Sequence, residues 1–259
     1  MHMTHAMELV ASSKMRRATD RMIKARNYAE AMEELFDGLD MAECRSSVFV
    51  GKREQRRICV IVIAGDRGLA GGYNSNIYKC EKSLTEGREV SVMPIGKRAV
   101  EYYRNRSYSL VGEGYASAER FDSKSCAEIS RELTQRFARG EFDALYLVYT
   151  RYDSVLSQTA VSKKLLPLES KGSSGGAGAV FEPDSETVMA SAMPAYISGI
   201  LYGAVCESFL CELACRRNAM NSAGKNAAEI IDKLSLEYNR ARQGTITQEI
   251  TEIVAGSQS

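Results

Sequence analysis

The chain has 259 residues, of which 44% are hydrophobic and 26% charged, with a formal net charge of +1. That length holds one large domain, or a medium domain with extended elements, and the composition is that of a folded chain rather than a disordered one. The small net charge excludes a global attraction to nucleic acid, and no unbroken apolar run approaches the ~20 residues of a membrane span, so no direct membrane insertion is expected.

Met1 to about Asp37 reads as one helix, because it holds no proline and Gly38 stands where a C-terminal cap is expected. Met7, Ala11, Met15, Ala18, Met22, Ala25, Ala29, Met32 and Phe36 recur at spacings of three and four, the period of a coiled-coil seam. Ala and Met replace the Leu and Ile of a strong zipper. Alanine lets a partner helix come close, and flexible Met side chains adapt to an irregular surface. Lys14, Arg16, Arg17, Arg21, Lys24 and Arg26, against the lone acid Asp20, read as a solvated basic face.

From residue 57 to 168 the period changes. Residues 58–64, Ile-Cys-Val-Ile-Val-Ile-Ala, form a continuous apolar run, as expected of a strand buried on both faces. Further strands are expected at 89–95, 108–112, 144–150 and 158–166, with helices at 76–85, 97–104 and 123–139 between them. Strands alternating with helices predict an open, mainly parallel α/β sheet. Residues 172–178, Gly-Ser-Ser-Gly-Gly-Ala-Gly, read as a flexible surface loop.

After Pro194 there is no further proline, and a helical pattern runs to about Val254 with Leu213, Met220, Ala223, Ala227, Ile230, Leu234, Tyr238 and Ala241 in its seam. Such a helix spans roughly 90 Å, more than a domain of this size supports alone, so the N-terminal helix must lie beside it. The expected fold class is α/β: a long antiparallel coiled coil of the N- and C-terminal helices with an inserted Rossmann-like domain. Residues 1–56 supply the first helix and a connector, 57–180 the α/β domain, and 181–259 the C-terminal segment and long helix.

Few residues point to chemistry. Residues 65–74, Gly-Asp-Arg-Gly-Leu-Ala-Gly-Gly-Tyr-Asn, follow a buried strand and precede a helix, where a dinucleotide fold puts its phosphate loop. Their spacing is G-x-x-G-x-x-G-G rather than G-x-G-x-x-G, and Gly96-Lys97 lacks the remainder of a phosphate-binding motif, so a tight structural turn is expected. The two histidines, His2 and His5, stand at the extreme N-terminus, and no nucleophile–base motif occurs. The seven cysteines form no C-x-x-C and suit a reducing compartment. Cys211 and Cys215 lie four apart without a nearby histidine and read as small buried side chains. Glu33 and Glu34 read as solubilising charges. No catalytic, cofactor-binding or metal residue is assigned, and no cofactor is expected.

The strongest signal is the segment 236–256, with Ile246-Thr-Gln-Glu249 at its centre, Glu252 three further on and Gly256 near the end. It resembles the terminal motif of the gamma subunits of F-type ATP synthases. Residues 6–17 (Ala-Met-Glu-Leu-Val-Ala-Ser-Ser-Lys-Met-Arg-Arg), residues 201–209 with Arg216 to Lys225 after them, and the GDRGLAGGYNSN stretch are similar to the same family in the same order. The resemblance implies a non-catalytic central-stalk rotor of the proton-translocating ATP synthase, coupling ring rotation to conformational cycling of the beta subunits. It implies that the coiled coil stands inside a hexamer of alpha and beta subunits. The α/β domain would bind no nucleotide and would rest on the membrane c-ring beside the epsilon subunit. One copy per complex, held peripherally at the cytoplasmic face of a bacterial plasma membrane, is expected.

By the same resemblance Met7, Arg242, Gln243, Thr247 and Glu249 match positions that touch the beta subunits, and the basic run would attract their acidic loops. Ile246, Ile250, Ile253 and Val254 are expected to form an apolar bearing tip beyond the reach of the N-terminal arm. Two departures stand out: in the family the first helix starts several turns further upstream, so Met1 falls inside it, and Ser257 stands where Ala is usual. The alternatives are a nucleotide-dependent α/β oxidoreductase with helical dimerisation arms, and a homodimeric coiled-coil scaffold, which the Ala- and Met-rich seams disfavour.

Overall fold

The structure is a computed structural model that describes residues 2–37, 44, 47–106, 108–112, 114–115, 118–169 and 184–256, without the side chains of residues 2, 185 and 254–256. Gly38, the predicted loop at 172–178 and the Val254 side chain thus lie outside the described residues.

Helix α1 (His2–Asp37) is unbroken. Ala11, Met15, Ala18, Met22, Ala25, Ala29 and Phe36 are buried, and Met7 and Met32 half-buried, so the whole predicted seam faces inward. Its partner is α5 (Ser185–Gly256), which runs antiparallel: Gly199 meets Tyr28 and Met32, Gly203 meets Ala25 and Ala29, and Gly224 meets Thr4. A Cβ on Gly203 would stand 3.1 Å from the Cβ of Ala29, and one on Gly199 would stand 2.9 Å from the Tyr28 ring. The glycines of α5 and the alanines of α1 bring the two backbones together. Contact therefore comes from close packing of small groups rather than from interlocked leucines.

Between the two helices the chain builds β1 (Arg57–Ile63), α2 (Tyr73–Thr85), β2 (Glu89–Ile95), α3 (Lys97–Arg104), β3 (Ser109–Leu110), α4 (Ser123–Ala138), β4 (Ala144–Tyr152) and β5 (Gln158–Leu166). The sheet order is β3-β2-β1-β4-β5, parallel except for β5, which returns antiparallel beside β4. Central β1 is buried from Ile58 onward, as its apolar run requires. β3 is shorter than the predicted 108–112, because Gly112 and Gly114 adopt left-handed φ values of 71° and 77° and turn the chain away. Helices α2 and α3 cover one face, setting Tyr73, Ile77, Ala99 and Tyr103 on Ile58, Val60 and Val62. Helix α4 and the first half of α5 cover the other, setting Ile129, Leu133, Phe137, Met193 and Ile197 on Cys59, Ile61 and Ile63.

Two expectations about α5 need correction. The helix starts at Ser185, ahead of Pro194, where Asp184 accepts the N–H of Thr187. A proline inside a helix costs about 3 kcal/mol; here Met189, Met193, Ile197 and Leu201 are fully buried on either side of it, and that burial carries the helix through. At the other end, Ile230, Leu234 and Tyr238 were expected in the seam but are 57%, 58% and 68% exposed, and Ala241 is exposed too. Thr4 near the start of α1 lies at the level of Gly224, and among the described residues none faces them. Residues 229–253 are exposed throughout, about 40 Å of helix standing alone. By length and composition α5 is apolar enough to cross a membrane, which a search for an unbroken apolar run misses; 56% of its most apolar window is buried within the protein.

Replacing Gly203 with leucine is expected to force the two helices apart and to destabilise the chain by about 2 kcal/mol, read by chemical denaturation. An unchanged midpoint would show that the close approach is not needed.

Candidate functional site

α5 leaves its apolar bed and passes the C-terminal ends of β1 and β4 between residues 207 and 218, and there its buried side chains become polar. Glu207, Ser208, Glu212 and Arg216 are all under 9% exposed. Glu207, Ser208 and Arg216 each find a partner on the α/β domain, and Glu212 pairs with Arg216. The Glu207 carboxylate accepts the Tyr152 N–H at 2.9 Å and pairs with Arg26 of α1, so one side chain joins three elements. Ser208 accepts the Thr150 N–H at 3.2 Å, while its own carbonyl accepts the Tyr73 hydroxyl at 3.0 Å. Burial pushes the Tyr73 phenol up, which keeps it a neutral donor. Cys211 donates to the Thr150 carbonyl, Arg216 bridges Glu212 and the Gly68 carbonyl, and Asn218 donates to Val155 O at 2.8 Å.

The glycine-rich loop is the other half of this joint. The Asp66 carboxylate accepts three backbone N–H groups, from Lys97 at 3.2 Å, Ala118 at 2.9 Å and Glu119 at 3.1 Å. Asn74 accepts the Gly65 N–H at 2.9 Å. A Cβ on Gly65 would fall 2.8 Å from the Glu212 carboxyl carbon, and one on Gly96, at φ 97°, would fall 2.0 Å from the Ala64 carbonyl oxygen. These glycines admit α5 and α3 rather than a phosphate. The cleft beside the loop carries Lys14, Arg67, Arg98 and Arg216 as well as Asp66, Glu119 and Glu212, so what weighs against the dinucleotide reading is the space α5 and α3 occupy rather than charge.

The basic run is not simply a solvated face. Lys14 pairs with Glu119 at 2.6 Å, Arg21 donates to the Tyr202 hydroxyl and the Phe121 carbonyl, and Arg26 holds Glu207; Arg16, Arg17 and Lys24 are exposed. Glu33, read as solubilising, is half-buried and pairs with Lys163 of β5. Hydrophobic periodicity identifies the helix but not these tertiary partners. Among the cysteines, burial pushes the Cys59 thiol up to about 12 and raises those of Cys126, Cys206 and Cys211 as well. Such thiols stay protonated and unreactive.

The residues singled out at the tip fall into an ordered array. At about 100° per residue, Ile246, Ile250 and Ile253 share a face about a third of a turn round from the line of Ile230, Leu234 and Tyr238. Arg242 and Glu249 flank this isoleucine row on one side, Gln243 and Thr247 on the other. All are exposed, and the Thr247 hydroxyl is bonded to the Gln243 carbonyl at 2.8 Å. Met7 is not part of this array. It lies half-buried in a cleft of about 440 Å³ with Val10, Phe209 and Leu213, about 30 Å down the axis from Arg242. Sequence reasoning missed Glu207, Ser208 and Asp66. For Glu207 and Ser208 the available signal was polar residues interrupting an otherwise apolar stretch of α5.

A shaft bonded to an α/β foot, with its far end left for something outside the chain, defines a stalk subunit of a larger assembly. The family profile for ATP synthase matches residues 1–259. Similar curated proteins include the ATP synthase gamma chain of Ruminococcus albus, 43% identical over 99% of this chain and 92% of the relative. The sodium-ion-specific gamma chain of Acetobacterium woodii is 36% identical over 100% of this chain and 93% of its own. In fold, the chain resembles a subunit of the Tetrahymena thermophila mitochondrial ATP synthase central stalk and c-ring, with a TM-score of 0.67 at 20% identity over 86% of this chain and 99% of that one. The chain belongs to the ATP synthase gamma-chain family, the non-catalytic stalk subunit of that complex.

Replacing Glu207 with alanine leaves the Tyr152 N–H and Arg26 without their acceptor, an expected loss of about 2–3 kcal/mol in chemical denaturation. Lys14→Ala, which breaks a half-exposed pair, is expected to cost under about 1 kcal/mol. Equal losses would contradict the special weight given to the buried joint.

Proposed function

We propose that this chain is the turning shaft of a proton-translocating ATP synthase, and that the joint at residues 207–218 carries torque from foot to tip. The observation behind this reading is the pairing of a buried, many-bonded joint with a fully exposed helix end. A part that transmits rotation must be rigid where load enters and free of fixed bonds where it turns.

Residues 57–180 act as the foot, beside the epsilon subunit on the c-ring. The long helices within residues 1–56 and 181–259 form the shaft, around which alpha and beta subunits alternate. One copy serves each complex, attached through its partners to the cytoplasmic face of a bacterial plasma membrane without inserting into it. The row Ile246, Ile250 and Ile253, with Val254 assigned to the same tip from the family resemblance, is the bearing, since apolar contact is non-directional and lets a surface slide. Arg242, Gln243, Thr247 and Glu249 beside it, and Met7 lower down, meet the beta subunits. Because different faces carry apolar and charged groups, each of three surrounding subunits meets a different surface at any angle. That differential contact is what biases their nucleotide sites between open and closed states.

Arg242→Ala combined with Gln243→Ala is expected to lower coupled ATP synthesis in vesicles carrying the reconstituted complex, while leaving helix content by circular dichroism unchanged. Normal synthesis by the double variant would reject the contact role.

A further inference from the structure

Helix α2 buries one stripe, Tyr73, Ile77, Glu81 and Thr85, spaced four apart. An acid in that stripe is out of place against a sheet face, and Glu81 is only 1% exposed. Its Oε1 accepts the Thr85 hydroxyl at 3.3 Å, whose single proton is shared with the Lys82 carbonyl at the same distance. Its Oε2 is buried with no hydrogen-bond partner. Tyr103 of α3 is fully buried, and its hydroxyl has no partner either. The Tyr78 hydroxyl, next along the same aromatic cluster, is in the same condition.

The groups acting on Glu81 are hydroxyls, those of Tyr103 and Thr85, with Tyr108 and Cys80 also sensing its charge. Of the cations on α2 and α3, Lys79, Lys82, Lys97 and Arg104 are exposed to solvent, and Arg98 and the nearby Arg106 are engaged elsewhere. Arg106 lies 3.9 Å over the Tyr102 ring, which itself stacks on Tyr78 at 3.8 Å, and Arg98 pairs with Glu101. An ionised carboxylate here would be a buried charge facing no cation. One proton between Oε2 and the Tyr103 oxygen satisfies both atoms whichever of them carries it, and only with the carboxyl neutral is this done without burying a charge.

We infer that Glu81 is a proton-binding site: the folded protein holds its carboxyl neutral, shared with the Tyr103 hydroxyl, at pH values where the unfolded chain has lost that proton. The proton comes from solvent, forms one O–H bond on folding, and returns to solvent when α2 and α3 separate. Burial raises this carboxyl above its ordinary 4.5, and the Tyr103 and Thr85 hydroxyls offset part of the rise. Between 4.5 and the raised value the folded chain binds one more proton than the unfolded one. Stability therefore falls as pH rises across that window and levels off above it. This edge of the foot is thereby sensitive to pH, independently of how the shaft is used.

The test is the carboxyl ¹³C titration of the full chain labelled at glutamate, with Glu81→Gln assigning the resonance. One glutamate is expected to titrate with a midpoint clearly above 4.5 and to vanish in the variant. Thermal unfolding gives a second readout, in which Glu81→Gln, an isostere of the neutral acid, gains on the wild type as pH is raised from about 4 to about 8. Overturning results are a full set of glutamates titrating at or below the ordinary value, or a variant whose offset does not change with pH. If the variant fails to fold, the wild-type titration alone decides: a midpoint above the ordinary value supports the site, and its absence rejects it.

Discussion

The buried carboxylate of Glu207 is the constraint on which the rest of the structure depends. It accepts a strand N–H from β4 and the guanidinium of Arg26 from α1, while rooted in α5. Buried charge is unfavourable unless it is paired and fully bonded, so the position tolerates only the arrangement in which all three elements meet. Ser208, Cys211 and Arg216 repeat the device along the next turns, each reaching a backbone atom at the C-terminal end of the sheet. Apolar packing alone would leave a long helix free to slide or roll against the domain, because it is non-directional. Directional bonds to backbone atoms remove both freedoms.

The same helix does opposite work along its length. Its first part is buried by the sheet and α4, its middle by α1 and the polar joint, and its last by none of the described residues. An apolar row left exposed over several turns is a liability in a lone protein and an asset in one that is sheathed. The change of face between Tyr238 and Ile246 divides the free end. Below it the stripe continues the coiled-coil line, and above it the apolar row faces another way. A shaft asymmetric in this manner presents different chemistry at each angle of rotation.

Much of this was legible in the residues. The Ala and Met seam of α1, the buried β1 run and the limits of β2, α3 and β5 follow from spacing alone, because periodicity and burial are tied through backbone geometry. The resemblance of the terminal motif singled out the residues of the exposed end of α5. What could not be read depends on three-dimensional partners. Pro194 looked like a helix start, since a local preference does not show that Met189 and Met193 will be buried beside it. Ile230, Leu234 and Tyr238 looked like seam, since a seam pattern does not say whether the partner reaches that far. The joint was hidden for the same reason: Glu207 and Asp66 are ordinary polar residues until the backbone N–H groups they serve, contributed by residues distant in sequence, are in place.

The most direct test is to watch the foot move. The chain would be reconstituted with alpha and beta subunits, the ring fixed to a surface, and a probe attached to the exposed side of α2 in the α/β domain. On addition of ATP the probe is expected to turn continuously in one direction, because the joint makes foot and tip a single body. A ring that hydrolyses ATP at a normal rate while the probe stays still would contradict it.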